Sequence, residues 1–130
     1  MQRPLIVLLP AVSLAIFLSA CSASKQFDPI PLGLDTSKVP HDTIEMTAEH
    51  FHFTPEDLHV KQGTLLTLKV KSIDGTHGFN LGDFGIDIRL EEGVTNTVEI
   101  YLPKKGEYGF RCSHFCGLGH LGMKGTLHVE

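Results

Sequence analysis

No tryptophan occurs in this chain of 130 residues, and aromatic residues make up only 8% of it, against 42% hydrophobic residues overall. That balance fits an ordinary globular protein, and the length suits one domain and not two. Basic residues do not predominate: 11 Lys and Arg stand against 15 Asp and Glu, for a formal net charge of −4. An acidic balance argues against nucleic acid as a partner and is compatible with a basic protein partner. After the first twenty residues no helical period of useful length appears, nor any internal repeat or low-complexity tract. No apolar run downstream of that segment is long enough to cross a membrane. Cysteine is scarce, with three residues, and Cys21 falls directly after the one long apolar run.

That run opens the chain. "MQRPLIVLLPAVSLAIFLSAC" carries Arg3 and then an apolar stretch from Leu5 to Leu18, too short and too abruptly ended for a comfortable membrane span. Small residues follow, so residues 1–20 read as a secretory signal. Leu18-Ser19-Ala20-Cys21 resembles the bacterial lipobox, which implies cleavage before Cys21 and lipid on its thiol. The plainer alternative is an ordinary cleavage site with a cysteine nearby. A lipidated Cys21 would hold the protein on a membrane face without spanning it, each buried CH₂ contributing about 0.8 kcal/mol. The expected location is the bacterial cell envelope, facing the periplasm or the outside of the cytoplasmic membrane. Cleavage would remove Arg3, the one formal charge in residues 1–20, and take the net charge from −4 to −5.

Residues 21–40 contain Pro29, Pro31 and Pro40 without sustained periodicity and read as a lipidated cysteine followed by a tether. From residue 41 to 130 the pattern is strands and turns, the expected folded domain. "TLLTLKV" sets Leu66, Leu68 and Val70 on one face and Thr67 and Lys69 on the other. "TVEIYL" points Val98, Ile100 and Leu102 inward, and "GTLHVE" does the same with Leu127 and Val129. Turn residues bound these runs at Gly63, Asp74-Gly75 and Glu92-Gly93. The spacing predicts an all-β sandwich or barrel of about seven or eight strands. In "EHFHF", alternation sends Phe51 and Phe53 to the core and His50 and His52 to solvent. His41, His59 and His128 read as solvated too.

The chemistry concentrates in "CSHFCGLGHLGM", residues 112–123, which holds Cys112, His114, Cys116, His120 and Met123. His77 lies farther upstream in "DGTHGF". An exported protein sits where a disulfide is the default. A C-x3-C pair set among histidines and a methionine fits that default poorly. Thiolate and imidazole suit zinc or copper, and a thioether favours copper. His77, Cys116, His120 and Met123 would supply a mononuclear blue-copper site, which needs two histidines, one cysteine and a weak methionine. Cys112 is surplus to that site.

The pattern His77 … Cys112-x3-Cys116-x3-His120-x2-Met123 resembles the copper-A domain of cytochrome c oxidase subunit II. The same ligand spacing occurs in the cupredoxin domain of nitrous oxide reductase. The resemblance covers most of residues 50–130, including "FTPEDLHVKQG", "THGF", "GIDI" and "GEYGFRCSHFCG". It implies a cupredoxin-like Greek-key β-sandwich holding two copper ions. Cys112 and Cys116 would bridge both ions, and His77 and His120 would each bind one. Met123 would be a weak ligand to one copper, and the His114 backbone carbonyl would be the other weak ligand. At the place of His114 oxidases usually carry glutamate, whose side chain also serves a neighbouring metal site, and nitrous oxide reductases carry tryptophan. The His114 side chain is expected to stay off the site copper. Gly117 and Gly119 are expected to let the loop backbone approach the metals.

The same resemblance implies an electron carrier, not an enzyme on its own, exchanging single electrons with a redox protein such as a c-type cytochrome or a terminal oxidase. Two coppers sharing two thiolates delocalise one electron, so bonds change little on reduction. Oxidases receive the electron on an aromatic patch that includes tryptophan; this chain has none, so that route does not carry over. Phe79, Phe84 and Phe115 are candidate apolar surface near the site, with core packing the expectation for each. A copper-delivery lipoprotein serving an oxidase would use the same ligands in a more open site. A mononuclear cupredoxin, and a zinc or disulfide loop, are the remaining alternatives.

Overall fold

The computed structural model describes residues 28–130; the signal segment 1–20, Cys21 and the first residues of the tether lie outside the described residues. The strands are β1 (His41–Glu49), β2 (His52–Thr54), β3 (Asp57–Val60), β4 (Leu65–Ser72), β5 (His77–Leu81), β6 (Ile86–Leu90), β7 (Thr95–Tyr101), β8 (Gly106–Arg111) and β9 (Lys124–Val129). Four of them form a sheet in the order β2-β1-β4-β7, and five form a second in the order β3-β9-β8-β5-β6. The described residues thus hold nine strands in two sheets, against the seven or eight expected. The surplus comes from "HFTPEDLHV", which gives two short strands on different sheets because Pro55, lacking an N–H, interrupts the ladder. Helical structure among the described residues is limited to three short 3-10 turns.

The alternation read from the sequence sets the core. Leu66, Leu68 and Val70 of β4 are buried, as are Ile100, Leu102, Leu127 and Val129, and Val98 packs against them half-buried. Phe53 from one sheet meets Phe79 and Phe110 from the other, with ring centroids 5.9 and 5.4 Å away. Such edge contacts add roughly 0.5–1.5 kcal/mol per pair beyond the area they bury. Residues 28–40 are tied to the sandwich at two points. The Pro29 carbonyl accepts from the Tyr101 N–H at 2.6 Å, and the Pro40 carbonyl from the Leu65 N–H at 2.8 Å.

Strand order places the ligand types at one end. β8 and β9 are antiparallel, with Arg111 opposite Lys124, and the Cys112 N–H donates to the Met123 carbonyl at 2.9 Å. The loop of residues 112–123 is therefore closed at its base by one more rung of the ladder. β5 lies beside β8 with Asn80 opposite Arg111, which brings the start of β5, at His77, against that loop.

Removing the ring that joins the two sheets tests this architecture. Phe53→Ala should lower stability by about 3–5 kcal/mol, read from the midpoint of urea unfolding. A loss below about 1 kcal/mol would show that the ring is peripheral to the core.

Candidate metal centre

Six expected donors come together at this end of the sandwich. The Cys112 and Cys116 sulfurs are 3.6 Å apart, and both cysteines are free. The ligand atoms of His77, Cys112 and Cys116 all lie within 4.8 Å of one another. Cys116 Sγ is 3.7 Å from His120 Nδ1 and 3.9 Å from Met123 Sδ. The His114 carbonyl oxygen is 3.1 Å from Cys112 Sγ. His77, Cys112 and Met123 are buried, while Cys116, His114 and His120 are half-buried.

His77 is poised by its neighbours. Its Nε2 donates to the Asp74 carbonyl at 2.8 Å and to Asp74 Oδ1 at 3.0 Å. Both partners only accept, so Nε2 carries the hydrogen and Nδ1 holds the lone pair. That Nδ1 is buried and has no hydrogen-bond partner, although His77 is only 1% exposed. A buried acceptor left unpaired costs roughly 1–3 kcal/mol, which a metal ion would offset. The turn that presents Asp74 is held by Ser72, whose hydroxyl donates to the Asp74 and Gly75 carbonyls at 3.2 and 2.8 Å. Partial burial works to raise the Asp74 carboxyl pKa, but the bonds from His77 and His50 outweigh it and hold the group below the usual carboxylate range.

Burial, with Cys112 alongside, pushes the Cys116 thiol up to about 11. Near neutral pH the metal-free thiol keeps its proton, which a bound metal must displace. Cys112 Sγ also accepts from the Gly78 N–H at 3.4 Å. That approach requires glycine at 78, since a Cβ there would lie 2.5 Å from the His114 nitrogen. Two buried or half-buried thiols, two imidazoles, a thioether and an orphaned lone pair form a donor set fitted to a soft transition metal. The composition is ill suited to calcium or magnesium, which take oxygen ligands.

Some parts of this site carried no signal in the sequence. Asp74 reads as a turn residue and Ser72 carries no signal, and their role emerges only from the fold of the β4–β5 connection. His50, expected in solvent, is exposed but bonds Asp74 through both its backbone N–H and its ring Nδ1. Phe51 lies under the ligand loop, and a Cβ on Gly117 would come within 2.8 Å of its ring. A Cβ on Gly119 would collide with the same ring. These glycines make room for Phe51. Phe79 and Phe84 are core residues as expected, but Phe115 is not: it is 73% exposed, because the loop has no strand alternation to turn it inward. His59 and His128 do point outward, stacked on each other at 4.6 Å and paired with carboxylates.

The thiol chemistry can be checked without metal. Alkylation of Cys116 by iodoacetamide, followed by mass spectrometry, should be slow at pH 7–8 and keep rising toward pH 11. The thiolate is the reacting form, and a raised pKa means that it accumulates only as pH climbs through that value. A rate that levels off near pH 8.5, the ordinary thiol range, would contradict this environment.

Comparison with known proteins agrees with the sandwich. The cupredoxin-like domain family matches residues 10–129. Cytochrome c oxidase subunit 2 of Thermus thermophilus is 34% identical over 88 residues, covering 68% of this chain and 65% of that protein. Nitrous-oxide reductase of Stutzerimonas stutzeri is 30% identical over 108 residues, covering 76% of this chain and 17% of that protein. The chain therefore spans less than two thirds of the length of either relative. The crystal structure of the periplasmic domain of subunit II of cytochrome oxidase from Bradyrhizobium japonicum has the same fold, with a TM-score of 0.63 at 21% identity over 68% of this chain and 83% of that one. With the family match spanning nearly the whole chain and the strands arranged as two facing sheets, the chain belongs to the cupredoxin-like domain family.

Proposed function

We propose that the chain binds two copper ions in a binuclear copper-A centre and carries single electrons to or from a respiratory redox partner. The observation that carries this reading is the pair of free thiols 3.6 Å apart, flanked by His77, His120 and Met123. A mononuclear blue-copper site uses one thiolate; a second thiol against the first is surplus to it. Cys112 and Cys116 would bridge the ions, with His77 Nδ1 and His120 as imidazole ligands. Met123 and the His114 carbonyl would be the weak ligands. The copper pair, when bound, supplies one-electron redox chemistry. The β8–β9 ladder holds the loop so that the ligands need not rearrange when charge changes. Arg89 above all, with smaller contributions from Thr76 and His114, holds the Glu91 carboxyl below its usual range.

The partner would dock on the loop itself. Leu118, Leu121 and Phe115 are 102%, 93% and 73% exposed, in a segment with no Asp, Glu, Lys or Arg between residues 112 and 123. The Phe115 ring lies 5.7 Å from that of His120, so this apolar face stands over a proposed ligand. A c-type cytochrome or a terminal oxidase fits the reading. After export on the signal at residues 1–20, the lipid on Cys21 and the tether through residue 40 would hold the domain at a bacterial membrane, outside the cytoplasm.

A copper-delivery role is the second reading. It is favoured by an opening of about 390 Å³ beside the site, lined by Cys112, His120 and Met123 with polar neighbours. Slow copper loss to a chelator would favour the carrier, and fast loss the delivery protein.

The full-length protein, solubilised in detergent and loaded with copper(I) and copper(II) in equal amounts, should bind two ions per chain. It should give a seven-line hyperfine pattern in electron paramagnetic resonance, and Cys112→Ser should turn this into a four-line pattern. A four-line pattern in the unaltered protein would overturn the binuclear reading. Leu118→Glu should leave the spectrum unchanged and slow electron exchange with a c-type cytochrome about tenfold, equivalent to ~1.4 kcal/mol. An unchanged rate would remove the loop face as the docking surface.

A further inference from the structure

His50 lies just beyond β1, with its side chain 52% exposed to solvent, and is not among the proposed metal ligands. Its backbone N–H donates to Asp74 Oδ2 at 3.3 Å, and its ring Nδ1 reaches the same oxygen. The other carboxylate oxygen, Oδ1, takes the bond from His77 Nε2 at 3.0 Å. The His50 ring stands edge-on to the His77 ring, with centroids 5.9 Å apart and planes at 74°. One carboxylate thus joins an exposed imidazole to a buried one.

Asp74 sits in the short connection between β4 and β5, where the bond from His77 Nε2 to Oδ1 holds one side of its carboxylate. The Ser72 hydroxyl holds the backbone carbonyls of the turn and leaves the carboxylate to other partners. The two bonds that hold Oδ2 both come from His50, on a different strand connection. With Oδ2 held, Oδ1 stays against His77 Nε2. An ionised carboxylate only accepts, so His77 keeps its hydrogen on Nε2 and its lone pair on the buried, unpartnered Nδ1. With Asp74 free to turn to water, the His77 ring would keep only the Asp74 carbonyl as a partner.

We propose that His50 is a positioning residue for the metal centre: through Asp74 it sets the tautomer and ring orientation of His77. This rests on the reading of His77 as a copper ligand, but its first test does not need copper. Carboxylate–histidine–metal arrays are general, and loss of such an outer partner lowers metal affinity by about 10–100-fold.

The experiment uses the full-length protein, ¹⁵N-labelled and solubilised in detergent. Long-range ¹⁵N–¹H spectra of the metal-free protein should show His77 in one tautomer, with hydrogen on Nε2. His50→Ala should give a mixture of tautomers. His50→Asn, whose side-chain amide can donate to Asp74 Oδ2 in place of Nδ1–H, should restore the single form. His52→Ala, which removes an exposed histidine paired with Glu49, should change nothing. After copper loading, His50→Ala should release copper to a chelator about 10–100-fold faster than His50→Asn. An unchanged His77 tautomer in His50→Ala would overturn the proposal, as would an equal change in His52→Ala. A four-line copper spectrum with the expected tautomer shift would overturn the binuclear reading and leave the role of His50 standing.

Discussion

The site depends on the rung of backbone hydrogen bonding that joins Cys112 to Met123 at the mouth of β8 and β9. It turns residues 112–123 from an open excursion into a closed loop of fixed width. Within that width the two cysteine sulfurs, His120 and Met123 fall within about four ångströms of one another in a chain of contacts. The neighbouring strand β5 then adds His77 from a distant part of the sequence. Ladder geometry, which needs no particular side chain, thus brings the candidate donor side chains together.

The surrounding core is well satisfied and the site is not. Leu66, Leu68, Phe53 and Phe110 fill the sandwich in the way the strand pattern demands. At the site, the His77 lone pair is buried without a partner and two thiols share a small volume. The Cys116 proton is held well above its ordinary range by burial and by Cys112. The unpaired lone pair costs stability in the metal-free chain, and the raised Cys116 pKa disfavours only the thiolate, the form that a metal binds. Each is relieved by a cation that takes thiolate and imidazole ligands.

Much of this was legible in the sequence, for definite physical reasons. β4, β7 and β9 follow from period-two alternation, because one face of each strand is buried. The candidate donors follow from residue type, because two cysteines, two histidines and a methionine within twelve residues suit a soft metal. Legibility ended where contacts depend on packing between distant segments. Phe51 occupies the space that Gly117 and Gly119 leave, so these glycines seat the loop on an aromatic ring. Phe115, outside any strand, had no periodicity to report that it would be exposed. The link from His50 through Asp74 to His77 passes through one histidine that reads as solvated and one aspartate that reads as a turn residue, so nothing in the sequence ties either to His77.

The central claim is that both thiolates belong to both metal ions. Copper K-edge X-ray absorption on the loaded protein measures this most directly, because it counts the sulfur neighbours of each copper and detects a second copper beside it. Two short sulfur contacts per copper, together with a short copper–copper vector that Cys112→Ser abolishes, is the predicted result. One short sulfur contact per copper, with no metal–metal vector, would contradict it.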